Sequence, residues 1–218
     1  MLEQRSPEWF GIRLGKVTAS RVSDVIARTR TGYSTSRANY AAQLICERLT
    51  GNPTEGFTNA AMQWGTDNEP LARDEYAFRV DTDVTELGFA NHPKIDMSGA
   101  SPDGLVGDDG LVEIKCPITA THIDILRTGS IADKYHVQMQ WQMACTGRAW
   151  CDFVSYDPRL PEEMRLFVQR VPRDPARIAT LEAEVRAFLD EIDDTLDELR
   201  NRYMPLPAST APNMMMAG

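Results

Sequence analysis

Between residues 101 and 117 the chain reads Ser-Pro-Asp-Gly-Leu-Val-Gly-Asp-Asp-Gly-Leu-Val-Glu-Ile-Lys-Cys-Pro, and no other stretch limits the fold so tightly. Gly107-Asp-Asp-Gly110 tolerates the positive φ of a tight turn and is flanked on both sides by apolar residues, which predicts two short strands folded into a hairpin. Side chains alternate along a strand, so Glu113 and Lys115 project from one face and Val112, Ile114 and Cys116 from the other. Asp103 stands at the mouth of the first strand, and pairing across the turn brings its carboxylate toward Glu113. Two carboxylates and an ammonium then converge. Hard oxygen donors suit Mg²⁺ or Mn²⁺, whereas zinc favours thiolates and imidazoles, and none of those clusters here. A Glu-x-Lys pair alone would be a solvated ion pair worth about 0–1 kcal/mol; Asp103 is what gives it meaning.

The rest of the chain bounds what such a hairpin can belong to. With 218 residues, 42% of them apolar, the chain supports one domain around one core. It holds no apolar run near the ~18 residues that span a bilayer, and Met1-Leu-Glu-Gln-Arg lacks the charged-then-apolar order of a signal peptide. No membrane partner and a cytoplasmic location are the expectation. Cys46, Cys116, Cys145 and Cys151 show no C-x₂-C pair, so buried thiols are expected rather than disulfides or a zinc site. A net charge of −9 argues against a DNA partner, but its distribution is uneven. Residues 1–48 carry eight basic and four acidic residues, and residues 174–202 carry nine acidic and four basic. An acidic exterior with a basic inner lining would reconcile the total with DNA.

In chain order, Ser6-Pro-Glu predicts the start of a short helix that carries Trp9 and Arg13 and ends near Gly15. A second helix starts at Thr18 or Ser20, leaving the Ser20 hydroxyl at a positive end suited to an anion; simple capping is the competing role. Residues 28–35 read as a mobile loop. Helices are expected over 36–49 and 59–78, the latter bearing Met62, Trp64 and Glu69, then a strand over 84–89, with 95–100 leading into the hairpin. Helices over 118–127 and 131–146 follow, and in the second Gln138 and Gln142 share a face. Strands over 149–155 and 164–171 lead to a last helix over 175–202. It sets Ile178, Leu181, Val185, Phe188, Ile192, Leu196 and Leu199 on one stripe, to pack on its own domain or on a partner. Residues 204–218 form a Pro- and Met-rich tail without a period. About five strands among helices give the class α/β, a central mixed β-sheet flanked by helices, in a single domain over residues 1–203 that includes the amphipathic helix.

Pro102-Asp103, a spacing of ten residues, then Glu113-Ile-Lys115 resembles the PD-(D/E)xK nuclease motif. More narrowly, Ser101-Pro-Asp-Gly104 with Glu113-Ile-Lys-Cys-Pro117 resembles the phage-lambda-type alkaline exonucleases of the viral recombinase family. Trp9-x₃-Arg13-Leu-Gly-x₂-Thr18-Ala-Ser20, Trp64-Gly-x₃-Glu69 and Tyr135-x₂-Gln138 are similar to further motifs of that family, in family order, over residues 9–157. The resemblance implies a restriction-endonuclease-like core and Mg²⁺-dependent 5′→3′ exonuclease activity on linear double-stranded DNA, leaving 3′ overhangs for recombination. It implies metal held by Asp103, Glu113, Glu69 and the Ile114 carbonyl, with Lys115 completing the catalytic set of Asp103, Glu113 and Lys115. Arg13, Ser20, Ser101 and Gln138 would bind the 5′-phosphate, and Met62 would wedge the DNA end, although a methionine also fills core gaps readily. A ring-shaped homotrimer and a single-strand annealing partner are implied as well. Two other readings fit the residues: a structure- or sequence-specific endonuclease on the same fold, and an inactive DNA-binding or assembly protein. The second sits poorly with Asp103, Glu113 and Lys115 all being present.

Overall fold

The computed structural model describes residues 3–54 and 60–204. Ser6 caps α1 (Pro7–Arg13) by accepting the Trp9 N–H at 3.2 Å, and Gly15, at φ 68°, turns the chain out of it. A two-residue strand, β1 (Val17–Thr18), precedes a 3-10 turn (Ala19–Arg21) and α2 (Val22–Ile26). Thr18 takes the cap position of that turn without a side-chain cap bond. Residues 28–35, expected as a mobile loop, instead form a hairpin of β2 (Arg28–Thr29) and β3 (Gly32–Tyr33). Long-range bonds hold it: the Arg28 guanidinium and the Tyr33 hydroxyl both donate to Glu184, at 2.9 and 2.8 Å. Ser34 caps α3 (Thr35–Thr50), which stops at Gly51 in the left-handed conformation. After it comes α4 (Ala60–Val80); its expected first residue, 59, lies outside the described residues.

The strand expected over 84–89 divides in two. β4 (Val84–Thr85) joins one sheet, and β5 (Ala90–His92) turns into another, where it pairs with β6 (Ile95–Ala100). Gly99 permits that approach, because a Cβ there would stand 2.6 Å from the Ala90 carbonyl oxygen. The anticipated hairpin follows as β7 (Gly104–Val106) and β8 (Gly110–Lys115), paired antiparallel around Gly107 at φ 51°. Then come α5 (Thr119–Thr128), α6 (Asp133–Thr146), β9 (Trp150–Tyr156), a 3-10 turn (Glu162–Met164), β10 (Leu166–Pro172) and α7 (Pro175–Tyr203). The larger sheet has the order β10-β9-β8-β7-β4, with β8 and β9 parallel and its other pairs antiparallel. The smaller runs β1-β6-β5, with β1 parallel to β6. The expected central mixed sheet is present, but residues 95–100 belong to a second sheet beside it.

Helices cover both faces of the larger sheet, which is why β8 is buried on either side. Val112 and Ile114 pack with Val154, Tyr156 and the α4 residues Ala72 and Tyr76. Leu111 and Phe153 on the opposite face pack with Ile125, Met139 and Met143 from α5 and α6. The stripe of α7 from Leu181 to Leu196 is buried within the chain in one cluster with Val22, Val25, Tyr40 and Leu44, each large side chain contributing roughly 1.5–3 kcal/mol. α7 also binds the basic N-terminal segment by ion pairs: Arg28 to Glu184, Arg37 to Glu191 and Arg48 to Asp193, at 2.9, 2.5 and 2.7 Å. Much of the positive excess of residues 1–48 is therefore spent inside the fold, and any basic lining is narrower than the sequence suggested. None of the four cysteines is bonded to another, and Cys46 is exposed rather than buried. Among the described residues no helix is long and apolar enough to cross a membrane. Of the tail, residues 205–218 lie outside the described residues.

Candidate active site

The hairpin register sets the centre of the site. Gly104 pairs with Val112, so Asp103 lies opposite Glu113, and its Oδ2 accepts the Ile114 N–H at 2.6 Å. Glu113 is wholly buried. Its Oε1 meets the Lys115 ammonium and the Gln138 amide, the latter at 2.6 Å, while its Oε2 accepts the Gln142 amide at 2.5 Å. Burial and the neighbouring Glu113 carboxylate push the Asp103 carboxyl well above the usual aspartate range. Burial works against the Lys115 charge, but Glu113 and Asp103 outweigh it and hold the ammonium above its ordinary range. The two carboxylates thus favour the charged form of Lys115. Two carboxylates pressed together in this way are hard oxygen ligands of the kind that suit a divalent cation such as Mg²⁺ or Mn²⁺.

Beside this centre opens a cavity of about 580 Å³ lined by Met62, Glu69, Ile114, Lys115, Cys116 and Tyr135, among others. α4 brings Glu69 here, close enough that its charge acts on Asp103, but Arg5 and Arg73 hold its carboxylate at 2.6 and 2.8 Å. Among the described residues no three Asp, Glu, His or Cys side chains gather as a ready ligand cluster. The Ile114 side chain is in the core. Met62, 56% exposed, is a rim residue and does not fill a core gap.

A second cavity, of about 560 Å³, is lined by Trp9, Arg13, Lys16, Ser20, Arg21 and Tyr40 with several neighbours. The Arg13 guanidinium lies 3.8 Å over the Trp9 ring and donates to the Ser101 hydroxyl at 3.0 Å. Trp9 Nε1 donates to the same hydroxyl at 3.0 Å and to the Gly88 carbonyl at 2.8 Å. Burial lowers the Arg13 pKa to about 10, which leaves it charged at neutral pH. Arg13, Ser20 and Ser101 are thus brought together, and Ser101, two residues before Asp103, links this cavity to the carboxylate pair. Gln138 stands apart from them, on Glu113. The sequence reading passed over Gln142, Trp9 as a partner of Ser101, and Arg5; only the four-residue spacing of Gln142 from Gln138 signalled one of these.

A mixed sheet that carries Asp103 and, ten residues on, Glu113-Ile-Lys115 defines a nuclease of the PD-(D/E)xK, restriction-endonuclease-like class. The comparisons with known proteins agree. The family model described as the YqaJ-like viral recombinase domain matches residues 8–149. The crystal structure of an alkaline exonuclease from Laribacter hongkongensis is 53% identical at a TM-score of 0.86, covering 93% of this chain and 100% of that one. A structure of the Laribacter enzyme in complex with dAMP is 54% identical over the same shares. A phage-related exonuclease from Haemophilus somnus, 16% identical with a TM-score of 0.67, shares the fold over 84% of this chain and 96% of its own. No curated protein matches the chain significantly. The chain belongs to the YqaJ-like viral recombinase family, and it is a nuclease.

Proposed function

We propose that the protein is a Mg²⁺-dependent exonuclease that enters linear double-stranded DNA at its ends and removes one strand in the 5′→3′ direction. The 3′ single strand left behind would serve recombination by annealing. The observation that carries this reading is the continuity from Arg13 through Ser101 to Asp103: a fixed guanidinium sits beside a serine only two residues from the paired carboxylates. A terminal phosphate held at Arg13, Ser20 and Ser101 would set the next linkage against Asp103, Glu113 and Lys115. Asp103, Glu113 and the Ile114 carbonyl would hold Mg²⁺ or Mn²⁺, and Glu69 would join them by giving up its arginine partners. The cation, when bound, neutralises phosphate charge and makes water a stronger nucleophile. Lys115 would position or polarise the attacking water and offset charge growing on the phosphate. Gln138 would join the 5′-phosphate set by exchanging its bond to Glu113 for one to a phosphate oxygen. Met62, on the exposed rim, would part the terminal base pair. The match to alkaline exonucleases of the same family supports this reading. The net charge of −9 works against DNA binding by one subunit alone, and we propose that a ring of three subunits holds the duplex, with an annealing protein taking up the product strand. Glu113→Gln keeps the shape of the side chain and removes its charge. It should abolish cleavage of linear duplex while the variant still binds DNA ends; wild-type turnover would place the chemistry elsewhere.

A further inference from the structure

The three glutamines of α6 divide by role. Gln140 takes no part in the site: its amide donates to the Pro172 carbonyl at 2.8 Å and its carbonyl accepts the Asp174 N–H at 2.8 Å, tying α6 to the start of α7. Gln138 and Gln142, one helical turn apart, both reach across to β8 and donate to different oxygens of the Glu113 carboxylate. They are not equivalent. Gln138 is half-buried, so it can exchange Glu113 for a substrate oxygen. Gln142 is wholly buried on a face shared with Met139 and Met143, and it has no route to substrate. Its own carbonyl is met at 4.0 Å by the Cys151 thiol, a weak donor. An amide placed so deep is unfavourable unless it is paired, and its short bond is to Glu113.

We propose that Gln142 is a positioning residue for the hydrolytic reaction: it fixes the Oε2 oxygen of Glu113, and with it the rotamer of the carboxylate, independently of what Gln138 does. The inference rests on the reading of Glu113 as a cation-holding residue. When Gln138 turns to a phosphate, Lys115 remains on Oε1 and Gln142 on Oε2, so the carboxylate enters each cycle already oriented. Without Gln142 the buried carboxylate gains rotational freedom, and the loss falls on cation binding and turnover rather than on recognition of the DNA end.

The test uses the full-length protein and Mn²⁺ as the probe, titrated calorimetrically without DNA, in parallel with steady-state kinetics on 5′-phosphorylated linear duplex. Gln142→Met, close in volume and without a donor, should stay folded. It should bind Mn²⁺ roughly 10-fold or more weakly, as expected for loss of a hydrogen bond to a charged group. The kcat should fall in proportion, with KM for DNA within about 2-fold of wild type. A folded Gln142→Met with wild-type Mn²⁺ affinity, or one whose KM rises while Mn²⁺ affinity is intact, overturns the proposal. Should Gln142→Met not fold, Gln142→Asn keeps an amide one methylene too short; weakened Mn²⁺ binding is again expected, and unchanged binding again overturns it. A wild-type protein that binds no Mn²⁺ defeats the cation site itself and this inference with it, whereas wild-type binding with an indifferent Gln142 defeats this inference alone.

Discussion

Arg13 is the side chain from which polarity would arise. In-line chemistry at Asp103 and Glu113 is the same whichever end the strand is approached from, so direction needs a group that recognises a feature of one terminus. Arg13 presents a planar fork of donors suited to a phosphate, and Trp9 stacking together with the Ser101 bond preorganises it. Charge-assisted hydrogen bonds of this kind are worth about 1.5–3 kcal/mol, so Arg13→Ala should reduce the preference for 5′-phosphate over 5′-hydroxyl ends by roughly 10- to 150-fold. Cutting itself should survive. Rates on the two kinds of end give the ratio directly, and an unchanged ratio would make Arg13 a structural partner of Trp9 and nothing more. Arg13, Ser20 and Ser101 were legible as separate motifs. That Trp9 completes the group was not, because a tryptophan in a short helix carries no mark of the serine 92 positions away that it will bond.

At the scale of elements, the loop between β9 and β10 rests on a single carboxylate. Asp157 has no exposed side-chain surface and accepts three bonds from Arg159, at 3.1, 2.7 and 2.9 Å. Burial acts to raise its pKa, but Arg159 and Thr119 outweigh it and hold the group at about 2. A folded pKa below the unfolded one means that this stabilisation is complete above the unfolded value of about 3.9 and is lost as pH falls through about 2. Asp157→Asn should therefore lose about 2 kcal/mol at pH 7 and distinctly less at pH 3, read from denaturant midpoints. A gap that did not shrink at pH 3 would assign the loss to packing. Elements with local signals were readable in advance: the hairpin from its Gly-Asp-Asp-Gly turn, the helices from caps and periodicity. The two-residue strands β1, β2 and β3 were not, since two residues show no alternation and such strands exist only through distant partners. Residues 28–33 form a hairpin because Glu184 of α7 holds Arg28 and Tyr33, a contact that no local pattern announces.

For the whole molecule, charge is the constraint. Ion pairs tie Arg28, Arg37 and Arg48 to α7 and Arg21 to Asp24, which leaves Arg13 and Lys16 as the cations of the cavity beside Trp9, too few for one net-negative subunit to retain a duplex through many cycles. Sedimentation in dilute solution should accordingly show a trimer; a monomer that remains fully processive would contradict the ring. The central claim is cleavage that starts from 5′ ends and depends on a divalent cation, and one experiment tests it most directly. Linear duplex carrying distinguishable labels at its 5′ and 3′ termini is digested beside a covalently closed circle of the same sequence, with Mg²⁺ and with EDTA. The account predicts early release of the 5′ label as mononucleotide, retention of the 3′ label on a shrinking duplex with a single-stranded tail, an intact circle, and no reaction in EDTA. A nicked or linearised circle, early release of the 3′ label, or digestion that persists in EDTA would contradict it.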